Sequence, residues 1–493
     1  MERIISIQLL ILSPMLVSFL VMSPLFTNNE IAIRRFTKGF CGIHFFYSIL
    51  ALVLFSSANP YVIEINCLGL DWIQALGVKL AFKIDSIGII LTVLTSFVFL
   101  LASIASKINI KKNHKFYYSM FLLLMSAILG IFTANDMFVF FLFWELELIP
   151  AYFLIGGNYA VDSGVEAKKS AIKFVLFTFL GSMFMLLGIL LLHFYNYTNT
   201  GTLSAVFDNI FTIGIPQSIQ LFIAICFLIG FGVKLPIIPL HTWLPDAHTN
   251  APTPVSMILA GILLKTGAYG IYRFNCEILQ DTFLLIAPVL AVFALINIIY
   301  TALVAYAQTD IKRIVAYSSI SNMGLVLLGL CALNQMGLSA AVFHMVAHAL
   351  ITCGLFMVCG IVYLRCKTRN INLLSGIAVN MPRLFGFATL IVLASIGIPA
   401  FAPFISEILT IMAALFSDLS LSLKLASILS LPLLIASSCY MLKFLHRSFM
   451  GEQLECFERV HDISVHEFVI LASVTAGLLI FGIFPNVILG VIQ

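Results

Sequence analysis

Residues 227–248 read FLIGFGVKLPIIPLHTWLPDAH. Seven apolar or small residues lead into Lys234, and Pro236 and Pro239 follow at once. Each proline removes a backbone donor and frees the carbonyl four residues earlier. A freed carbonyl at membrane depth has to face protein or water, never lipid. The lysine beside it is a charge placed where charge costs at least about 2.5–3.5 kcal/mol. The stretch therefore predicts an interrupted membrane helix carrying a functional ammonium in a wet cavity, as broken transporter helices do. Simple snorkelling of Lys234 from a helix end fits poorly with the apolar run before it.

The rest of the chain is consistent with a membrane setting. Hydrophobic residues make up 61% of the 493 positions and charged residues 10%, against about 25% charged in an average soluble domain. Fourteen candidate spans of roughly 20 residues lie near 4–25, 36–56, 84–105, 116–133, 136–156, 170–192, 217–239, 254–274, 283–305, 312–331, 337–363, 384–416, 425–445 and 467–490. The fold expected is an all-α polytopic bundle, a single membrane domain over 1–493. The segment 384–416 exceeds one straight span and contains Pro399 and Pro403, so a break is expected there. The apolar stretch from Ile4 to Phe26 is read as a permanent first span, because no small-residue cleavage site follows it. With the N-terminus outside and every span crossing, nineteen of the 26 basic residues fall in inner loops. They include Lys111, Lys312, Arg313 and Arg459, and the asymmetry is what the positive-inside rule demands. The outer loops hold only Lys79, Lys83 and Lys424, with Arg3 at the outer end.

Charges inside spans are functional candidates. Glu145 sits in FFLFWELELIPAYFLIGG; Glu147 lies two positions on, roughly 200° around a helix, and faces elsewhere. Lys265 is eleven residues into its helix, about 16 Å from the end and near mid-bilayer. Glu407 follows Pro399 and Pro403, whereas Lys234 precedes its prolines. Two broken helices of opposite polarity are what inverted repeats produce, with 116–274 (helices 4–8) and 283–445 (helices 9–13) as the halves. His344 and His348 are four apart and share a helix face; without a glutamate beside the first histidine the pair does not suit zinc hydrolysis. His348 is assigned to a relay, since histidine titrates near neutrality; His344 is a further relay candidate, with hydrogen-bonded packing as its alternative. His241 falls on an inner loop, where proton uptake and a structural role are equally open. Arg273, nearer the outer end, reads as an anchor. The ten cysteines form no C-x-x-C pair, and no phosphate loop or dinucleotide fingerprint is present, so no redox cofactor and no metal are expected in this chain.

The strings FWELELIPAYFLIGG, FGVKLPIIPLHTWLPDAH, PVSMILAGILLKTGAYGIYRF, QTDIKRIVAYSSISNMG and MLKFLHRSFMG resemble the antiporter-like proton-pumping subunits of complex I-type NAD(P)H:quinone oxidoreductases, in particular the chain 4 (M-type) subunits. WELELIP and PVSMILAGILLK also resemble the cyanobacterial and plastid versions that reduce plastoquinone. The resemblance covers nearly the whole chain. It implies fourteen helices with two five-helix inverted repeats and discontinuous helices near 234–239 and 399–407. It pairs Glu145 with Lys234 and makes Lys265 the central lysine. It also makes Glu407 the glutamate that stands where related subunits carry lysine. It implies NAD(P)H and quinone as substrates of the complex, neighbouring antiporter-like membrane subunits as partners, and an energy-transducing membrane, bacterial plasma or thylakoid, as the location. One position departs: Asn322 stands where many relatives have histidine, and asparagine exchanges no proton near neutral pH. Ala400, Phe401 and Ala402 also replace glycine and small polar residues.

The mechanism expected is a relay. Glu145 holds a proton on Lys234; when Glu145 swings away, the proton passes to Lys265, through water and His348 to Glu407, with the drive coming from elsewhere in the complex. The alternatives are a subunit of a multisubunit sodium/proton antiporter or of a membrane-bound hydrogenase. Transport in vesicles is expected to be independent of sodium; sodium dependence would favour the antiporter reading.

Overall fold

Helix breakers and caps divide the apolar chain. The computed structural model describes residues 7–492 except 25, 27–28, 58–66, 111, 158, 160–163, 454–456 and 458–459. Arg3, Lys111 and Arg459 of the charge count lie outside these. In chain order the helices are α1 (Ile7–Met22), α2 (Glu30–Ser57), α3 (Ser86–Asn109), α4 (His114–Thr133), α5 (Met137–Leu146), α6 (Leu148–Gly156), α7 (Val165–Thr200), α8 (Gln217–Lys234), α9 (Leu244–Asn250), α10 (Thr253–Ile258), α11 (Leu264–Gly270), α12 (Gln280–Ala307), α13 (Ile311–Cys331), α14 (Gln335–Cys366), α15 (Pro382–Ser395), α16 (Ala402–Leu415), α17 (Leu421–Phe449), α18 (Val465–Ile483) and α19 (Asn486–Ile492). Two π-helical stretches, Leu259–Leu263 and Ile271–Ile278, flank α11.

Twelve helical stretches among the described residues are long and apolar enough to cross a bilayer, against fourteen counted in the sequence. The difference lies in α1 and in the 384–416 segment, which is divided into the shorter α15 and α16. The all-α expectation lacked one feature, an antiparallel hairpin of β1 (Cys67–Ile73) and β2 (Val78–Phe82).

Packing sorts the chain into two units. The first holds the residues up to Ser103, with Ile110–Leu235 and Lys265–Leu285; the second holds Ile104–Asn109, Pro236–Leu264 and Ile286 onward. These boundaries follow packing, whereas the repeats expected over 116–274 and 283–445 are defined by symmetry, so the two divisions differ.

In the first unit, polar side chains tie helices together where apolar packing alone would let them slide. Ser18 on α1 donates to the Ser119 carbonyl of α4 at 2.7 Å, and Ser126 donates back to the Ile11 carbonyl at 2.6 Å. α7 and α8 cross at small residues: a Cβ on Gly230 would lie 3.0 Å from the Gly181 carbonyl. Small residues permit such close backbone approach in membranes. Asp136 caps α5 by accepting from Phe138 N at 2.9 Å and Val139 N at 3.2 Å, and it also accepts from Lys79 N of β2 at 3.1 Å. One carboxylate thus fixes both the helix start and the hairpin. Arg273 pairs with Asp85 and with Glu277, the anchoring expected of it.

In the second unit α14 is the axis, with its most apolar eighteen residues all buried. Gly360 admits Thr253 so closely that a Cβ would meet the Thr253 hydroxyl at 2.5 Å. Arg365 near the end of α14 grips Glu467 of α18 at 2.9 and 2.6 Å. Glu467 also closes a capping box with Ser464; a bidentate guanidinium–carboxylate contact is among the stronger hydrogen-bonded pairs.

Between α15 and α16 the chain turns at Gly397 (φ +78°) and again at Ala400 (φ +80°). The first is a usual left-handed helix stop. The second puts an alanine in a region that costs roughly 1–2 kcal/mol for a residue with a Cβ. Ala400→Gly should therefore raise the thermal stability of the assembled protein, by about 0.5–1 kcal/mol after the added unfolded-state entropy. Thermal unfolding in detergent checks this; a lower midpoint would contradict it.

Candidate functional site

α8 ends at Lys234, with Leu235 as its C-cap. The Lys234 ammonium makes an ion pair with the Glu147 carboxylate, and both side chains are fully buried. The ammonium also lies 3.4 Å above the centre of the Trp144 ring. Beyond these contacts, neither charge has a hydrogen-bond partner among the described residues.

Glu147 reaches Lys234 from the buried face of its span, which it shares with Phe143, Trp144, Leu148 and Ala151. It keeps helical dihedrals (φ −69°, ψ −23°), its N–H donates to the Phe143 carbonyl, and its carbonyl accepts from Ala151 N; Pro150 costs the span only the bond to the Leu146 carbonyl. The resemblance pairs Lys234 with Glu145; the contact in the structure is with Glu147. Glu145 is half-buried and has one buried oxygen without a hydrogen-bond partner among the described residues.

Lys265, fully buried, is the second residue of α11, between the two π-helical stretches. Such stretches cluster at functional sites. Two residues on, Gly267 packs against the end of α8: a Cβ there would lie 2.6 Å from Leu235 N and 2.8 Å from the Phe231 carbonyl. Glycine at 267 therefore lets the Lys265 helix rest on the backbone that carries Lys234.

The second unit holds the other candidates. Glu407, 5% exposed, is on α16. Its carboxylate lies against Gly397, where a Cβ would come within 3.0 Å of the carboxyl carbon. His344 and His348 are fully buried on α14, ring centres 6.5 Å apart. His344 is hydrogen-bonded at both ring nitrogens: Nδ1 is 2.8 Å from Ser406 Oγ and Nε2 is 3.2 Å from Asn322 Oδ1. Asn322 is thus joined through His344 to the residue before Glu407. His241 is buried edge-on to Tyr300 and His248 is stacked on Phe356, so neither is an open-loop residue.

The charge pattern places Lys312 among the inner-loop cations, but the structure buries it at 4% exposure. Asp310 caps α13 by accepting from Lys312 N at 2.8 Å. The ammonium turns onto the end of α9, donating to the Ala251 carbonyl at 2.8 Å and the His248 carbonyl at 3.4 Å. A cation there satisfies the last helix carbonyls. The signal available in the sequence is Asp310 itself, which as a cap places Lys312 inside a helix.

The family model described as NADH:quinone oxidoreductase/Mrp antiporter, transmembrane, matches residues 134–431, the span that contains every one of these charges. The chain belongs to this family. It is 40% identical over 423 residues, 84% of this chain and 77% of the relative, to NAD(P)H-quinone oxidoreductase chain 4 2 of Thermosynechococcus vestitus. It is 38% identical over 424 residues, 85% of this chain and 77% of the relative, to NAD(P)H-quinone oxidoreductase chain 4 1 of Nostoc sp.. The same fold occurs in respiratory complex I from Thermus thermophilus, with a TM-score of 0.83, 24% identity and coverage of 99% of this chain and 98% of that one. It also occurs in the Mrp complex from Dietzia sp., with a TM-score of 0.82, 18% identity and coverage of 99% of this chain and 95% of that one. The resemblance read from the sequence therefore stands, and so does the membrane location of a multi-span protein.

Two variants test this site. Lys234→Met alone leaves the Glu147 carboxylate buried without its cation, a loss of about 3–5 kcal/mol that should lower the amount of assembled protein. Adding Glu147→Gln should restore much of that amount, measured by blotting of purified membranes; no recovery would contradict the pairing. Gly267→Val should cost about 1–3 kcal/mol by overpacking against α8, read as a lower unfolding midpoint.

Proposed function

We propose that this chain is the proton-translocating membrane subunit of a complex I-type NAD(P)H:quinone oxidoreductase. The observation that carries the reading is the fully buried Lys234–Glu147 pair at the end of an interrupted helix. A buried ion pair is a weak stabiliser and a charge at membrane depth is costly, so stability alone gives little reason to keep it. The names of the cyanobacterial relatives support the same assignment.

The chain supplies proton carriers and no redox centre; NAD(P)H and quinone, plastoquinone in the cyanobacterial-type version, react elsewhere in the complex. Contact with a carboxylate holds the proton on Lys234, and withdrawal of that carboxylate in an apolar setting releases it. Glu147 in contact and Glu145 in reserve provide the two settings. Lys265, whose helix rests on the end of α8, is the next carrier. His348, His344 and Glu407 form the carrier set of the second unit, and Asn322 belongs to it through His344. The two interrupted helices, with Lys234 before one break and Glu407 after the other, support reading 116–274 and 283–445 as inverted repeats. Neighbouring antiporter-like membrane subunits are the partners, in a bacterial plasma or thylakoid membrane.

The experiment is proton uptake by vesicles containing the assembled complex, with quinone reduction recorded in the same sample. Lys265→Ala and the pair Lys234→Met with Glu147→Gln should keep quinone reduction and lose proton uptake at least severalfold. Proton uptake at the parental ratio to quinone reduction would overturn the assignment.

A further inference from the structure

His344 is held at both ring nitrogens, and its partners are not equivalent. On one side, Asn322 presents Oδ1 to Nε2 at 3.2 Å, while its amide nitrogen donates to the Ser318 carbonyl at 2.8 Å. An amide oxygen only accepts. With the amide nitrogen committed to Ser318, the group facing the ring is an acceptor, and Nε2 must carry the hydrogen. On the other side, Ser406 Oγ lies 2.8 Å from Nδ1 and 2.8 Å from the Pro403 carbonyl. A hydroxyl has one hydrogen and two acceptor sites, so it suits either form of the ring. With neutral His344, Ser406 donates to Nδ1. With charged His344, Nδ1–H donates to Ser406 Oγ, and the hydroxyl hydrogen turns to the Pro403 carbonyl. The two forms differ by one proton, and the neutral form gives up the hydrogen bond from Ser406 to the Pro403 carbonyl.

We propose that Asn322 is a positioning residue that fixes hydrogen on His344 Nε2 and confines proton gain and loss to Nδ1, on the side of Ser406 and Glu407. This rests on the proton-transfer reading given above. His344 and Ser406 are fully buried and Asn322 is 8% exposed, so bulk water does not set the tautomer. In the charging step, Ser406 Oγ–H breaks as Nδ1–H forms, and Oγ takes a proton delivered through water from the protonated carboxyl group of Glu407, which becomes a carboxylate. One proton is gained by the ring and one lost by that donor. His348, one turn along α14, has its ring centre 6.5 Å from that of His344, and Glu407 is the residue after Ser406 on α16. A histidine at 322 both donates and accepts, and would leave either tautomer open. Asparagine closes one of the two exits, so its presence here makes His344 a one-sided carrier.

The test uses the assembled complex with 15N-labelled histidine and solid-state NMR, subtracting the spectrum of His344→Gln. The result expected is a hydrogen on Nε2 in every state, with Nδ1 the nitrogen that gains or loses its hydrogen. A ring bare at Nε2 overturns the proposal. A second readout is the ratio of proton uptake to quinone reduction. Ser406→Ala, which removes the hydroxyl, should lower the ratio severalfold, and Ser406→Thr, which restores it in a bulkier side chain, should recover it. A purely packing role predicts the opposite order, and equal ratios in the two variants overturn the proposal. The tautomer measurement needs no turnover. Its failure is therefore distinguishable from failure of the pumping assignment, which the Lys234 and Lys265 variants decide.

Discussion

A fully buried ammonium needs a counter-charge inside the protein, and Lys234 is such an ammonium. Much of the first unit is arranged around meeting that need. Pro150 removes one backbone donor from the span, while Glu147, three residues earlier, keeps its place on the buried face. Trp144 lays its ring beneath the cation. Gly267 removes the side chain that would keep α11 off the end of α8. Each of these features is locally unfavourable in a membrane helix: a missing donor, an indole nitrogen without a partner among the described residues, a residue of poor helix propensity. They are consistent with one another only because the buried pair requires them.

The two units place opposite charges at opposite ends of helices. Lys234 is the last residue of α8, where the helix dipole presents its negative end. Glu407 is in the second turn of α16, toward the positive end. Each charge thus sits where the backbone helps to stabilise it, and each helix end exists because prolines interrupt the chain. The breaks fix the positions of the charges and also supply part of the electrostatic support.

The interrupted helices, the buried lysines and Glu407 are legible in the sequence, because prolines break helices and a lone charge in an apolar run contrasts sharply with its neighbours. The partner of Lys234 is not. A separation of roughly 200° between Glu145 and Glu147 says that the two face differently, but not which of them faces inward; burial shows that it is Glu147. The partners of His344 escape because they lie 22 and 62 residues away, and helix periodicity carries no information about such crossings. Asn322 looks like a gap in a proton path when only its own chemistry is considered; its role depends on which atom faces His344. The hairpin over 67–82 escapes for a related reason: its two short strands lie in the connection between α2 and α3, and their support comes from Asp136, more than 50 residues further on.

The indole beneath Lys234 has a consequence for observation. The chain has three tryptophans; Trp72 is half-exposed, whereas Trp144 and Trp243 are buried. A cation over the face of an aromatic ring interacts directly with its π electrons, so the ultraviolet absorption of Trp144 depends on whether the side chain above it is charged. The protein therefore contains its own chromophore beside Lys234. Protonation of Lys234 becomes, in principle, a colour change rather than an event inferred from flux.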